Sequence, residues 1–72
     1  MVNTQLLDKA IDESGLYLKF IIDKLGISRN GFDKKRKGQI KFRKAEIYVL
    51  KDILRLSDTE EKAIFFADEV ES

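Results

Sequence analysis

The sequence predicts an all-α fold, a single compact domain of five short helices that takes up residues 1–72. Three observations predict it. Apolar residues recur at helical spacing through most of the chain. The 72 residues contain no proline and only four glycines, so little interrupts the helices. Residues suited to helix ends stand between the apolar stripes, and a chain this short has room for one core.

The first two predicted helices carry clear apolar stripes. The first runs from residue 3 or 4 to Ser14 and is ended by Gly15, and the second covers residues 17–25. Phe20 lies off the second stripe, where it either covers the edge of the core or forms an exposed contact. The two stripes consist of Leu6, Leu7, Ala10 and Ile11 in the first helix and Leu18, Ile21, Ile22 and Leu25 in the second.

The turn before the third predicted helix is the most informative stretch. Gly26 can adopt the positive φ that ends a helix, Ile27 is an apolar corner residue, and Ser28 is a favourable N-cap. The third helix then covers residues 28 to 36 or 37, with Phe32 as its one clear core residue. Two helices joined by a three-residue turn form the layout of a helix-turn-helix, whose second helix enters the DNA major groove.

The remaining chain predicts two more helices and a short connection. Gly38 ends the third helix, and residues 39–43 form an extended connection held to the core by Ile40 and Phe42. The fourth helix covers residues 44–54. The fifth begins at Ser57 or Asp58, with a capping box of Ser57 with Glu60 or of Asp58 with Glu61.

The fifth helix contains two adjacent phenylalanines. Its inner face is expected to consist of Ala63, Ile64, Phe66, Ala67 and Val70, while Phe65 points elsewhere. One helix cannot bury two neighbouring side chains on one face, so one phenylalanine lies at an interface or at the edge of the core. Homodimerisation through this helix is therefore a hypothesis.

The net charge of +1 hides a strong asymmetry along the chain. Residues 28–44 hold eight cations and one acid, a net +7, whereas residues 58–72 have a net charge of −5. Most charge runs are solvated surfaces. Here the cations lie on and just after the third helix, which favours a polyanionic partner, double-stranded DNA.

Composition argues against several other classes of protein. The chain has neither cysteine nor histidine, which removes disulfides, the usual zinc sites and the common nucleophile and acid–base pairs. The adjacent acids Glu60-Glu61 and Asp68-Glu69 do not share a helix face, so a metal site is not expected. We therefore expect no enzyme, no cofactor and no small-molecule substrate. No apolar run is long enough for a membrane span and no signal peptide is evident, so we expect a cytoplasmic protein.

Several segments together carry a family resemblance: Gly15-Leu16, residues 21–29, Phe32 and Lys37-Gly38. They resemble the Cro and lambda-repressor-like (XRE) helix-turn-helix family, and residues 54–57 and 64–67 are similar to the tail of its small phage members. The resemblance implies a five-helix bundle that binds operator DNA, usually as a dimer on a palindrome. It implies a phage or prophage Cro-like transcriptional repressor.

Two positions depart from that family's pattern. Ile22 replaces the alanine found where the two motif helices cross, so the crossing must widen or rotate. Lys35 stands where many members bury an aliphatic residue, which is expected to weaken the anchor of the third helix and add charge.

Side chains near the start of the third helix are the expected base contacts. Arg29 and Lys34 can donate to guanine O6 and N7, and Asn30 can pair with adenine N6 and N7. Asp33 can accept from cytosine N4, or it can orient Arg29 or Lys37. Gly31 either lets the backbone approach DNA closely or is a neutral surface glycine. The predicted base contacts are Ser28, Arg29, Asn30, Gly31, Asp33 and Lys34; the alternative for each is a solvated surface position.

Phosphate contacts need only cations and free donors. The predicted set is Tyr17, Lys19, Lys35, Arg36, Lys37, Lys41, Arg43 and Lys44. A second hypothesis is a protein-interaction module on the same scaffold, such as an antitoxin, an antirepressor or an adaptor. Its working surface would be the acidic fifth helix with Phe65.

Overall fold

The computed structural model describes residues 1–67, and over this range the regular structure consists of five α-helices and no strand. The all-α prediction is confirmed for these residues, and the first four helices begin and end within a residue or two of their expected bounds. The fifth begins as expected but ends at Phe65, before Ala67, which was expected on its inner face. Val70, expected on the inner face of the last helix, lies outside the described range. The helices are α1 (Thr4–Ser14), α2 (Leu18–Leu25), α3 (Arg29–Arg36), α4 (Lys44–Ile53) and α5 (Asp58–Phe65).

Capping groups set the helix ends. Gly26 has a φ of 69°, a left-handed conformation that stops α2 and that a side chain would strain. Ser28 Oγ accepts a hydrogen bond from Gly31 N at 3.0 Å at the start of α3. At α5 the capping box is Ser57 with Glu60: Ser57 Oγ accepts from Glu60 N at 3.1 Å, and Glu60 Oε1 accepts from Ser57 N at 2.9 Å.

The core lies where the helices meet, with α2 packed on α4 and α1 packed on α5. Four side chains are the most completely buried, and each comes from a different helix: Leu7 from α1, Ile21 from α2, Phe32 from α3 and Leu50 from α4. α5 adds Ile64 and Phe65 to this cluster. None of the helices in residues 1–67 combines the length and apolar character needed to cross a bilayer.

The connection between α3 and α4 is held to the core by one aromatic side chain. The Phe42 ring meets Phe32 and Phe65 edge-on, with centroid distances of 6.4 Å and 5.4 Å. Ile40 was expected to share this role, but 46% of its surface is exposed, so that expectation is wrong. The chain curls tightly around the end of α3, because the backbone N–H groups of Gln39 and Ile40 donate to the Lys34 carbonyl, and this turns Ile40 outward.

One of the two adjacent phenylalanines differs from expectation. Phe65 is only 6% exposed and contacts Phe42, so the prediction that it points away from the core is wrong. Phe66 also packs against the core, although it is only partly buried. Both can do so because α5 ends at Phe65: Phe66 has a φ of −125° and a ψ of 38°, outside the helix, and no longer follows helical spacing.

We expect Phe65→Ala to destabilise the protein by about 3–5 kcal/mol, because it empties the core beside Phe42. This is a large share of the stability of a domain this small, about 4–11 kcal/mol. Phe66→Ala, the matched control, should cost distinctly less because its ring keeps more contact with water. Urea unfolding followed by circular dichroism measures both free energies; equal losses, or a larger loss for Phe66, would contradict the assignment.

Candidate nucleic-acid interface

The outer face of α3 is polar, exposed and free of core contacts. Successive residues of an α-helix are about 100° apart, which places Phe32 and Lys35 on one side and Asn30, Lys34 and Lys37 on the other. Phe32 and Lys35 are buried and the other three are exposed. The expected base-contact residues therefore lie together around the start and outer side of α3: Ser28, Arg29, Asn30 and Lys34 are exposed, and Gly31 and Asp33 are partly buried.

Gly31 has a structural role that neither sequence interpretation included. A Cβ atom at this position would lie 3.2 Å from Ser28 Oγ, the atom that caps the Gly31 N–H. The missing side chain therefore leaves room for the cap. Replacing a glycine inside a helix by alanine ordinarily raises the free energy of unfolding by about 1 kcal/mol. Here the increase is expected to be smaller, because the added methyl group would crowd the Ser28 cap.

Asp33 has a different partner from those expected. Its carboxylate lies 3.9 Å from Arg36 Nη2, one helical turn along α3, rather than with Arg29 or Lys37. The contact is long and partly exposed, so it orients Arg36 only weakly. Arg29 has no carboxylate partner within residues 1–67.

Arg36 pairs with an acid of another helix at the surface, so it differs from the unpaired cations among the predicted phosphate contacts. Its Nη1 donates to both carboxylate oxygens of Asp8 in α1, each at 3.1 Å. The Arg36 carbonyl accepts from Thr4 Oγ1 at 2.6 Å. These contacts tie the last turn of α3 to the first turns of α1.

Lys35 is removed from the predicted phosphate contacts. Its ammonium lies 2.6 Å and 2.8 Å from the two carboxylate oxygens of Glu46 in α4. The two side chains are only 11% and 8% exposed. Lys35 therefore forms a charge-assisted pair in the place where an aliphatic contact was expected to be missing.

Glu46 is an important residue that the sequence patterns above did not single out. Its spacing carried a signal: Glu46, Leu50 and Leu54 follow one another at intervals of four, which places the acid on the buried stripe of α4. Lys35 is likewise three residues after Phe32 on the inner side of α3. Two opposite charges on inward faces favour a buried pair.

Opposing effects act on the pKa of Glu46. Burial raises it, but hydrogen bonds from the Lys35 ammonium and from the Arg43 backbone N–H outweigh burial and hold the pKa below its ordinary value of 4.5. The Arg43 N–H donates to Glu46 Oε1 at 2.8 Å, so the carboxylate also caps the start of α4. Glu46 is therefore a carboxylate at neutral pH.

The other six cations of residues 28–44 face solvent. None of them forms a salt bridge within residues 1–67, and they comprise Arg29, Lys34, Lys37, Lys41, Arg43 and Lys44. Lys19 and Tyr17 are exposed at the start of α2, Tyr17 by 85%. Within residues 1–67 no side chain caps the first N–H groups of α2, and uncapped N–H groups at a helix start are donors that an anion can use. Phe20 is 41% exposed, with the Lys24 ammonium 5.4 Å from its ring centre.

Lys51 of α4 partly neutralises the acids at the start of α5. The Lys51 ammonium bonds to Asp58 and lies 3.4 Å from Glu61. The hydrogen bond to Asp58 raises the pKa of Lys51 and lowers the pKa of Asp58. In residues 1–67 no three acidic, histidine or cysteine side chains cluster in a way that could hold a metal ion; Asp68-Glu69 lies outside this range.

The fold and this surface define a small all-α domain in which exposed cations are concentrated in residues 28–44. The sequence matches no family model, and neither the curated proteins nor the solved structures contain a match to it. The chain's own geometry and charge are therefore what bear on its function.

We expect Glu46→Gln to lower the free energy of unfolding by about 3–5 kcal/mol near neutral pH, because it leaves the Lys35 ammonium buried without a counter-ion. The folded-state pKa of Glu46 lies below its unfolded value, so the stability it contributes is complete above pH 4.5 and is lost as pH falls through the folded pKa. The difference between wild type and variant should therefore shrink in acid.

Urea unfolding at a series of pH values from about 7 to 3 measures this difference. Glu61→Gln is the matched control, because it removes a more exposed partner of Lys51 and should cost about 1 kcal/mol or less. A loss for Glu46→Gln that stays constant over the whole pH range would contradict the assignment.

Proposed function

We propose that this protein binds double-stranded DNA with α3 lying in the major groove. The observation that carries the proposal is the outer face of α3, where exposed polar and basic side chains lie opposite the buried Phe32 and Lys35. An α-helix is about 10–12 Å wide with its side chains, and the major groove is about 12 Å wide. Such a face has no role in the core and fits a groove of polar base edges.

The arrangement of α2 and α3 supports a helix-turn-helix. α2 ends at the left-handed Gly26, Ile27 packs against the core, and Ser28 caps α3. This short connection matches the layout in which the second helix enters the groove and the first lies across the backbone. In this role Arg29, Asn30 and Lys34 contact base edges, with Ser28, Gly31 and Asp33 beside them.

The exposed cations support the backbone contacts. After Lys35 and Arg36 are removed, the phosphate contacts are Tyr17, Lys19, Lys37, Lys41, Arg43 and Lys44, all of them exposed. The open N–H groups at the start of α2 add donors for a phosphate beside Tyr17 and Lys19. A repressor of the Cro-like kind, phage or prophage in origin, would act from this surface by occupying an operator and excluding polymerase.

The alternative interaction module loses its main support. It required Phe65 on the surface of α5, but that ring is buried against Phe42. Homodimerisation through α5 loses the same argument, since Phe66 also packs on the core. DNA binding is the function that the exposed residues favour.

We expect DNA affinity to fall steeply with salt. If about four or five phosphates are contacted, log affinity against log salt concentration should have a slope of roughly −4. Fluorescence anisotropy with a labelled duplex of random sequence, at several salt concentrations, measures the slope. An affinity that does not respond to salt would contradict DNA binding through this surface.

We expect Arg29→Ala combined with Asn30→Ala to relax sequence preference, because each of the two side chains supplies about 1–3 kcal/mol of discrimination between bases. Selection from genomic fragments followed by sequencing defines the preferred site, and competition against random duplex measures the preference. Lys62→Ala removes an exposed cation from α5 and is the matched control, which should keep the wild-type preference. An unaltered preference in the double variant would exclude these residues from base contact.

A further inference from the structure

We propose that Glu46 is a positioning residue for DNA binding: one buried carboxylate holds two cationic segments in the relative geometry that a duplex requires. The first segment is the last turn of α3 and the second is the first turn of α4. This inference rests on the proposed DNA-binding function, and it assigns a role to a residue that does not itself reach the surface.

The carboxylate bonds to both segments at once. The Lys35 ammonium, in the last turn of α3, donates to both oxygens of Glu46, and the backbone N–H of Arg43, just before α4, donates to Oε1 at 2.8 Å. Hydrogen bonds of this kind are directional. Glu46 therefore fixes the distance and the orientation between the end of one helix and the start of the next.

Exposed cations lie next to both positions that Glu46 bonds, at the end of α3 and at the start of α4. Lys34 and Lys37 lie one and two residues from Lys35 and face solvent, and Arg43 and Lys44 lie at the other end of the bridge and also face solvent. The ion pair between Lys35 and Glu46 thus brings two groups of outward charges next to each other. Phosphates are regularly spaced along DNA, so both groups can engage only if their separation is kept.

Apolar packing also contributes to this separation, since Phe32 of α3 and Leu50 of α4 belong to one buried cluster, but it supplies no directional bond. Residues 37–43 contain no regular helix, and their one aromatic anchor is Phe42. The other polar ties of α3, from Arg36 to Asp8 and Thr4, lead to α1 rather than to α4. Glu46 is the polar group in residues 1–67 that joins the end of α3 directly to the start of α4.

Stability alone does not account for a buried ion pair at this place. Replacing both partners of such a pair by well-packed neutral side chains is often neutral or stabilising, because the desolvation of two charges is avoided. An apolar pair would hold the helices together without directional bonds. The ionic pair adds directional hydrogen bonds that fix the orientation of α3 relative to α4. A rigid, charged ligand such as DNA requires its contacts in a fixed arrangement.

The test uses Lys35→Met combined with Glu46→Gln, which leaves no unpaired buried charge and keeps the net charge of the chain. Lys51→Met combined with Glu61→Gln is the control, since it removes the more exposed ion pairs of Lys51 in α4 by the same substitutions and keeps the same net charge. Circular dichroism and urea unfolding establish that each variant is folded. Anisotropy with the labelled random duplex then measures affinity and salt slope.

We expect the Lys35/Glu46 variant to remain folded but to bind DNA about tenfold more weakly near 0.1 M salt, with a salt slope shallower by about one. The physical reason is that one phosphate fewer is neutralised when the two cationic segments no longer engage the duplex together. A merely structural role would not change the salt slope of the folded protein. The control variant should keep the wild-type affinity and slope.

Two results overturn the proposal in distinguishable ways. A folded Lys35/Glu46 variant with wild-type affinity and slope removes the positioning role while DNA binding stands. A wild-type protein that shows no salt-dependent DNA binding removes both. If the double variant fails to fold, Glu46→Asp replaces it: the charge is kept but the reach is shortened, and wild-type affinity and slope in that variant overturn the proposal.

Discussion

The salt bridge between Lys35 and Glu46 is the interaction on which the placement of α3 depends. Both side chains are almost fully buried. The free-energy cost of removing the two charges from water is offset by hydrogen bonds, because the ammonium donates to both carboxylate oxygens and the Arg43 N–H donates to one of them. Loss of either partner strands a charge in the interior. The pair therefore holds α3 against α4 in one arrangement, while Arg36 holds the same turn against α1.

This arrangement divides cations that look alike in the sequence. Residues 28–44 contain eight of them, and the structure pairs two with acids of other helices and leaves six exposed. Lys35 is buried with its carboxylate partner in α4, and Arg36 is partly exposed beside its partner in α1. The exposed six have no carboxylate partner in residues 1–67, so their charges remain available to an external anion.

Local features were predictable and long-range pairings were not. Apolar spacing and the caps at Ser28 and Ser57 depend on neighbours within a few residues, so the helix bounds and the outward position of Arg29 and Asn30 follow from the sequence. The partners of Lys35 and Arg36 lie 11 and 28 residues away, and which acid meets which cation depends on how the helices pack. The position of Phe65 was predicted wrongly because helical spacing was extended past this residue, where the helix ends. Phe66 packs against the core, as its place on the expected inner face predicted.

α3 is too polar to be a stable helix by itself. Its fold comes from Phe32 in the core, the Ser28 cap at one end and the polar ties of Lys35 and Arg36 at the other. None of these requires a particular side chain at Arg29, Asn30 or Lys34. If this face contacts DNA, as proposed, its base preference can change by substitution at those positions with little effect on stability. Phe32 and Lys35 have no such freedom, because a single change there leaves a cavity or an unpaired buried charge.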